Sequence, residues 1–224
     1  MKMFSTKSQV NEKILPGFGR LVSEWIKVHE QYFSSFPPQD NETSFLYRER
    51  PQVSLLGTAI YFSGGAALQE WPLAKSSKKK GRSDLWFTIK PNGRRHYYYV
   101  EAKHDWINLS GNILEENDKL KNILVSANKS TRVIPKSVDD EKRKRLAIAF
   151  AGILLPTKQL GNESVELDGF FRKDLARFAH LNKVPCWAAL WVDTPAFFHR
   201  AKQQNKYRNT SIGLVMMVKP LAGS

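Results

Sequence analysis

The segment GRSDLWFTIKPNGRRHYYYVEAKHDW, residues 81–106, constrains this chain more than any other stretch. Asn92-Gly93 stands between two runs rich in aromatic and β-branched residues, Asp84–Ile89 and Tyr97–Lys103. A type I′ turn needs two successive positive φ angles, so this pair predicts a two-residue hairpin loop. The register follows from the loop: Pro91 opposes Arg94, and Asp84 opposes Glu101. Cβ atoms in such a pair lie about 4.5–5.5 Å apart on one face. Glu101 and Lys103, two apart on one strand, share that face with Tyr97 and Tyr99. The opposite face is apolar on both strands, with Leu85, Phe87 and Ile89 against Tyr98, Val100 and Ala102. Asp84, Glu101 and Lys103 are therefore expected to converge.

Two like charges opposed on a strand pair destabilise it, and a cation between them reverses the sign. Hard divalent ions favour carboxylate oxygens. The rest of the chain says what such an ion would act on. Thirty-five Lys and Arg against 21 Asp and Glu give a formal net charge of +14 over 224 residues. A charge of that size points to a polyanionic partner. Acids, a lysine and a phosphate-bearing partner together suggest metal-assisted phosphodiester cleavage, in which a metal polarises phosphate and acidifies water. The ordinary alternative is a solvated strand face with weak ion pairs.

Several classes are disfavoured. Thirteen Phe, seven Tyr and six Trp argue against a disordered basic tail. Cys186 is the one cysteine, which leaves no intrachain disulfide and no four-cysteine zinc site. Apolar runs fall short of the roughly 18 residues of a membrane span, and the lysines of MKMFSTKSQVNEK are followed by no apolar run. Neither a membrane association nor a secretory signal is expected, and a reducing, cytoplasmic location is.

Around the hairpin, an irregular lead precedes a helix with Leu21, Trp25, Val28 and Tyr32 at helical spacing, ended by Pro37-Pro38. A second helix is predicted over about Pro51–Phe62 and stopped by Gly64-Gly65. Ala67–Leu73 reads as a strand, about Ile113–Ala127 as a helix, and Leu146–Leu155 as a buried strand. Asp168–Leu181 reads as a helix, and Cys186–Val192 and Ile212–Val218 as strands. This alternation predicts an α/β or α+β mixed sheet with helices packed on it.

The hairpin resembles the core motif of the PD-(D/E)XK nuclease superfamily, the restriction-endonuclease-like fold. Ser83-Asp84 stands where the motif has its aspartate, with Ser83 in place of the name-giving proline. Glu101-Ala102-Lys103 matches the E-x-K half. The resemblance covers roughly residues 45–155 and implies a core ordered helix, three strands, helix, strand. Residues 1–40 would be an N-terminal helical extension, 45–155 the catalytic core, and 156–224 a completion of the sheet, all in one nuclease-like domain.

Asp84 and Glu101 would then ligate Mg²⁺ or Mn²⁺ with the Ala102 carbonyl, and Lys103 would be the catalytic lysine. Many members add a glutamate from the first core helix. Glu49 is the choice here, beside its reading as a solvated member of Arg48-Glu49-Arg50, with Glu70 and Glu24 behind it. The activity implied is a metal-dependent nuclease, most readily a DNA endonuclease. A catalytically inactive nucleic-acid-binding protein of the same fold is the alternative. A double-strand cut would call for a homodimer, because two strands need two sites.

The loop from Lys75 to Arg82 carries five positive charges, at Lys75, Lys78, Lys79, Lys80 and Arg82, and is expected to contact phosphate backbone. Its other reading is a solubilising loop. His104 points away from Lys103 in a regular strand and reads as structural or surface. Cys186 opens an apolar strand and reads as a small buried hydrophobe.

Overall fold

Strand β5, Arg143–Pro156, is the apolar run around which the sheet is built, and Arg145–Ile153 are buried without a break. Only a strand covered on both faces keeps so continuous an apolar sequence. The computed structural model describes residues 4–35, 47–72, 82–109, 113–132, 134, 143–156, 169–192 and 209–221. Within these, seven strands form one mixed sheet in the order β1-β6-β7-β5-β4-β3-β2. They are β1 Phe4–Val10, β2 Ala66–Pro72, β3 Arg82–Ile89, β4 His96–Asn108, β5, β6 Cys186–Val192 and β7 Asn209–Pro220. The β4–β5 pair is parallel and the others are antiparallel.

A parallel pair needs a crossover, and α3, Ile113–Thr131, supplies it between β4 and β5. It lies on one face of the sheet with α4, Leu175–Leu181, and the π-helical turn Phe170–Asp174 that leads into α4. Leu120, Ile123, Leu124, Phe171 and Leu175 there meet Ala149, Ala151, Trp187, Val215 and Met217. Helices α1, Phe18–Ser34, and α2, Glu49–Phe62, cover the other face. Leu21, Trp25, Leu56 and Ile60 pack there on Phe87, Tyr98, Val100, Ile148 and Met216. Helix α2 ends as Gly64-Gly65 predicts. Gly64 has φ 85°, and the Gly64 and Gly65 N–H groups donate to Tyr61 and Ile60 carbonyls, both at 2.9 Å. This is the Schellman arrangement, which satisfies two otherwise orphaned carbonyls.

One sequence expectation is corrected. The N-terminal lead is not irregular: it is β1, an edge strand paired with β6 from Phe4↔Val192 to Val10↔Cys186. The first forty residues are thus not a helical extension alone, because they also complete the sheet. The interior of β1, Ser5-Thr6-Lys7-Ser8-Gln9, is polar throughout. It holds its place through main-chain pairing rather than an apolar face, so it left no alternating signal. Cys186 is fully buried, as its apolar strand predicts. No helix among the described residues is long and apolar enough to cross a membrane.

Candidate active site at the parting of β3 and β4

The hairpin register is the one its turn dictates. Asn92 and Gly93 have φ 49° and 79°, and the Arg94 N–H closes the turn on the Pro91 carbonyl at 3.0 Å. Pairing of β3 with β4 runs from Ile89↔His96 to Leu85↔Val100. Leu85, Phe87 and Ile89 are buried, as are Tyr98, Val100 and Ala102, while the intervening Trp86, Thr88 and Tyr99 are partly open.

Beyond Leu85↔Val100, side chains take over the work of the ladder. The fully buried Ser83 hydroxyl lies 2.8 Å from the Val100 carbonyl and 2.9 Å from the Leu85 carbonyl, and accepts the Val100 N–H at 3.1 Å. One step further, Asp84 Oδ2 accepts the Ala102 N–H at 2.7 Å. The Ala102 carbonyl accepts from Lys103 Nζ, also at 2.7 Å. Main-chain groups at this depth must find partners, and here carboxylate, ammonium and hydroxyl groups provide them. Strand β3 meanwhile stays with β2 as far as Pro72↔Arg82.

This parting brings the predicted acids to one place. Glu101 is 7% exposed, and its buried Oε1 has no hydrogen-bond partner among the described residues. Burial first, then the Asp84 charge, lifts its carboxyl to about 7. Lys103 opposes the rise, while Glu49 and Glu70 add to it. Asp84 is also raised, chiefly by burial, against the pull of its Ala102 hydrogen bond, Lys103 and Arg50. Glu49, the first residue of α2, reaches Lys103 Nζ at 3.2 Å, with both side chains about one-third exposed. It is therefore more than a solvated member of its arginine cluster.

The donor set suits a hard divalent cation, since it offers carboxylate oxygens and a carbonyl. The orphaned Glu101 oxygen is the atom such an ion would satisfy. Among the described residues, however, no three His, Cys, Asp or Glu side chains are gathered as a ligand group. The Lys103 ammonium holds two of the expected ligands, Glu49 and the Ala102 carbonyl.

Other predicted residues are distributed differently. Glu70 lies on β2 with φ 52°, a left-handed conformation uncommon for a residue with a side chain. Its carboxylate faces Arg82 at 3.6 Å across an exposed pair. Glu24 pairs with Lys27 on α1 at 2.8 Å and is not among the charges that act on Asp84 or Glu101. Arg82 is exposed at the start of β3, whereas Lys75, Lys78, Lys79 and Lys80 lie outside the described residues. His104 packs edge-on to Trp106 at 4.9 Å, and burial lowers its pKa to about 4. That agrees with a structural role. Sequence reasoning missed Ser83 as the group that bridges the strands and Arg50 as a charge beside Asp84. Ser83 had one local signal, a small hydroxyl residue directly before the aspartate. A cleft lined by Glu12, Gly17, Arg20 and Lys90 lies at the hairpin tip, away from the acids.

No protein-family model, curated protein or solved structure matches this chain.

Two outcomes are expected from this geometry. Ser83→Ala removes the acceptor of a buried N–H and the one hydroxyl proton within reach of two carbonyls. It should cost about 1–3 kcal/mol in urea denaturation. The Glu101 carboxyl, at about 7 against an ordinary 4.5, binds its proton more tightly folded than unfolded. Its contribution is thus full below the unfolded pKa and is lost as pH rises through about 7. Metal-free protein should lose stability across that window, and Glu101→Gln should flatten the loss and exceed wild type at pH values above it. An unchanged slope in the Gln variant would refute the assignment.

Proposed function

We propose that this protein is a divalent-metal-dependent nuclease that hydrolyses phosphodiester bonds of nucleic acid, with DNA as the preferred substrate. The observation that carries the reading is the carboxylate pair of half-buried Asp84 and buried Glu101, beside Lys103 in a chain of net charge +14. A protein that only holds a polyanion gains nothing from burying acids where the polyanion would sit. The element order α2-β2-β3-β4-α3-β5 supports the likeness to the PD-(D/E)XK core, because it is the order which that resemblance implies.

When bound, Mg²⁺ or Mn²⁺ would polarise the scissile phosphate and lower the pKa of the attacking water. Asp84 and Glu101 would hold it, with Glu49 and the Ala102 carbonyl as further oxygens. The Ala102 N–H fixes the orientation of the Asp84 carboxylate, so that ligand is organised by the strand itself. Glu101, deprived of water and crowded by acids, holds a proton up to about pH 7, and a bound cation would take that proton's place. Lys103 has two acceptors in reach, Glu49 and Ala102, and its ammonium can pass from them to a developing negative charge. Arg50 and Arg82 lie beside the acids and suit neighbouring phosphates by charge.

A second reading, a nucleic-acid-binding protein of the same fold without catalysis, draws on one observation: the Lys103 ammonium already neutralises part of the acid cluster. Calorimetry separates the two. Wild type should bind Mn²⁺, and the Asp84→Asn, Glu101→Gln double variant should not. Mg²⁺ or Mn²⁺ should support cleavage of single- or double-stranded DNA by wild type. Asp84→Ala, Glu101→Ala and Lys103→Ala should each lose that cleavage while keeping a native circular dichroism spectrum. Equal and negligible heats for wild type and double variant would favour the non-catalytic reading.

A further inference from the structure

The face of the sheet that carries Asp84 and Glu101 also carries a stack of aromatic rings with no core function. Trp71 of β2 stacks on Trp86 of β3 at 5.2 Å between centroids and 25° between planes. Trp86 continues to Tyr97 of β4 at 6.2 Å and 32°. All three are partly exposed, and none belongs to either hydrophobic core. Leu68, paired with Trp86 across β2 and β3, is 47% exposed. Helix α3 packs on β4 and β5 rather than on β2 and β3, which carry Trp71 and Trp86.

A strand face open to water ordinarily alternates to polar residues. Cross-strand aromatic pairing accounts for some stabilisation of the hairpin. It does not account for Trp71 on an edge strand that could have ended in charges, nor for the exposed Leu68 beside it. The backbone is bent to the same end. Glu70, in the left-handed region, interrupts the alternation of β2 just before Trp71 and lets that ring lie against Trp86.

Charge and position identify the occupant. Arg82 at one end of β3 and Arg94 and Arg95 at the hairpin tip are all exposed. Trp86 pairs with Tyr99, one row from the position of Asp84 and Glu101. Two residues of strand rise separate such rows by about 7 Å. Flat apolar rings flanked by arginines and set next to acids suit a partner with planar faces and a phosphate backbone. A duplex hides its base faces in its own stack, whereas an unpaired strand offers them.

We propose that the Trp71–Trp86–Tyr97 stack binds single-stranded nucleic acid, with an unpaired base extending the stack on Trp71 and the strand running on to the acid cluster. The substrate is then a single strand, or the unpaired arm of a branched structure, rather than an intact duplex. This rests on the nucleic-acid part of the proposed function and not on its catalytic part.

The test is binding in EDTA, where no cleavage occurs, of oligothymidylate and of a blunt duplex. Wild type should bind oligothymidylate more tightly. Trp71→Ala should weaken that binding by about five- to 150-fold, the range for one stacked base, and leave duplex binding unchanged. Trp71→Phe, which keeps a ring, should retain most of the affinity. Arg94→Ala with Arg95→Ala should instead weaken both forms and reduce the salt dependence. Photocrosslinking of bromodeoxyuridine-substituted single strand to wild-type protein needs no variant to fold, and its adducts should map to Trp71, Trp86 or Tyr97. Equal oligothymidylate affinity in Trp71→Ala, duplex binding as tight as single-strand binding, or adducts only elsewhere would overturn the stacking platform. Absence of all nucleic-acid binding in wild type would also overturn the proposed function, whereas duplex binding as tight as single-strand binding would overturn the platform alone.

Discussion

Val100 and Ala102 turn main-chain groups toward β3 at the point where β3 stops pairing with β4, and everything distinctive about the site depends on how those groups are satisfied. Ser83 and Asp84 supply the partners from β3, and Lys103 supplies one from β4 itself. A regular ladder would have bonded Ala102 to backbone and left Asp84 free to turn to solvent. Parting the strands ties the Asp84 carboxylate to the β4 main chain and draws it toward the buried Glu101. The site is thus a consequence of unfinished pairing, made tolerable because each main-chain group finds a polar side chain.

The same arrangement sets the electrostatics. A buried acid beside a second carboxylate resists ionisation, and burial first, then the Asp84 charge, lifts Glu101 to about 7. Lys103 relieves part of the strain as a resident cation, held between Glu49 and the Ala102 carbonyl. A divalent ion would relieve more of it and would compete with the ammonium for those two oxygens. The remaining positive charge of the chain keeps a polyanion near acids that would otherwise repel it. Arg50, acting on Asp84, and Arg82, beside Glu70, belong to it.

Much of this was legible in the sequence, for local reasons. Asn92-Gly93 fixes the turn, the turn fixes the register, and the register brings Asp84, Glu101 and Lys103 together. The strands Cys186–Val192 and Leu146–Leu155 were readable because both faces are buried, which leaves a continuous apolar run. What stayed hidden depends on pairing between distant segments. Strand β1 is polar along its interior and exists because β6 offers it an edge. The parting of β3 from β4 is not written in either strand's alternation. The left-handed turn at Glu70, which brings Trp71 onto Trp86, has no glycine or asparagine to announce it. The role of Glu49 was left open because an acid between two arginines is ordinary until Lys103 is found 3.2 Å away.

The most direct measurement of the central claim is anomalous diffraction from crystals grown with Mn²⁺. The account predicts a manganese peak bounded by the Asp84 and Glu101 carboxylates, with Lys103 Nζ withdrawn from the Ala102 carbonyl. Crystals that take up Mn²⁺ elsewhere, while Lys103 keeps its bond to Ala102 and Glu101 Oε1 stays unliganded, would contradict it.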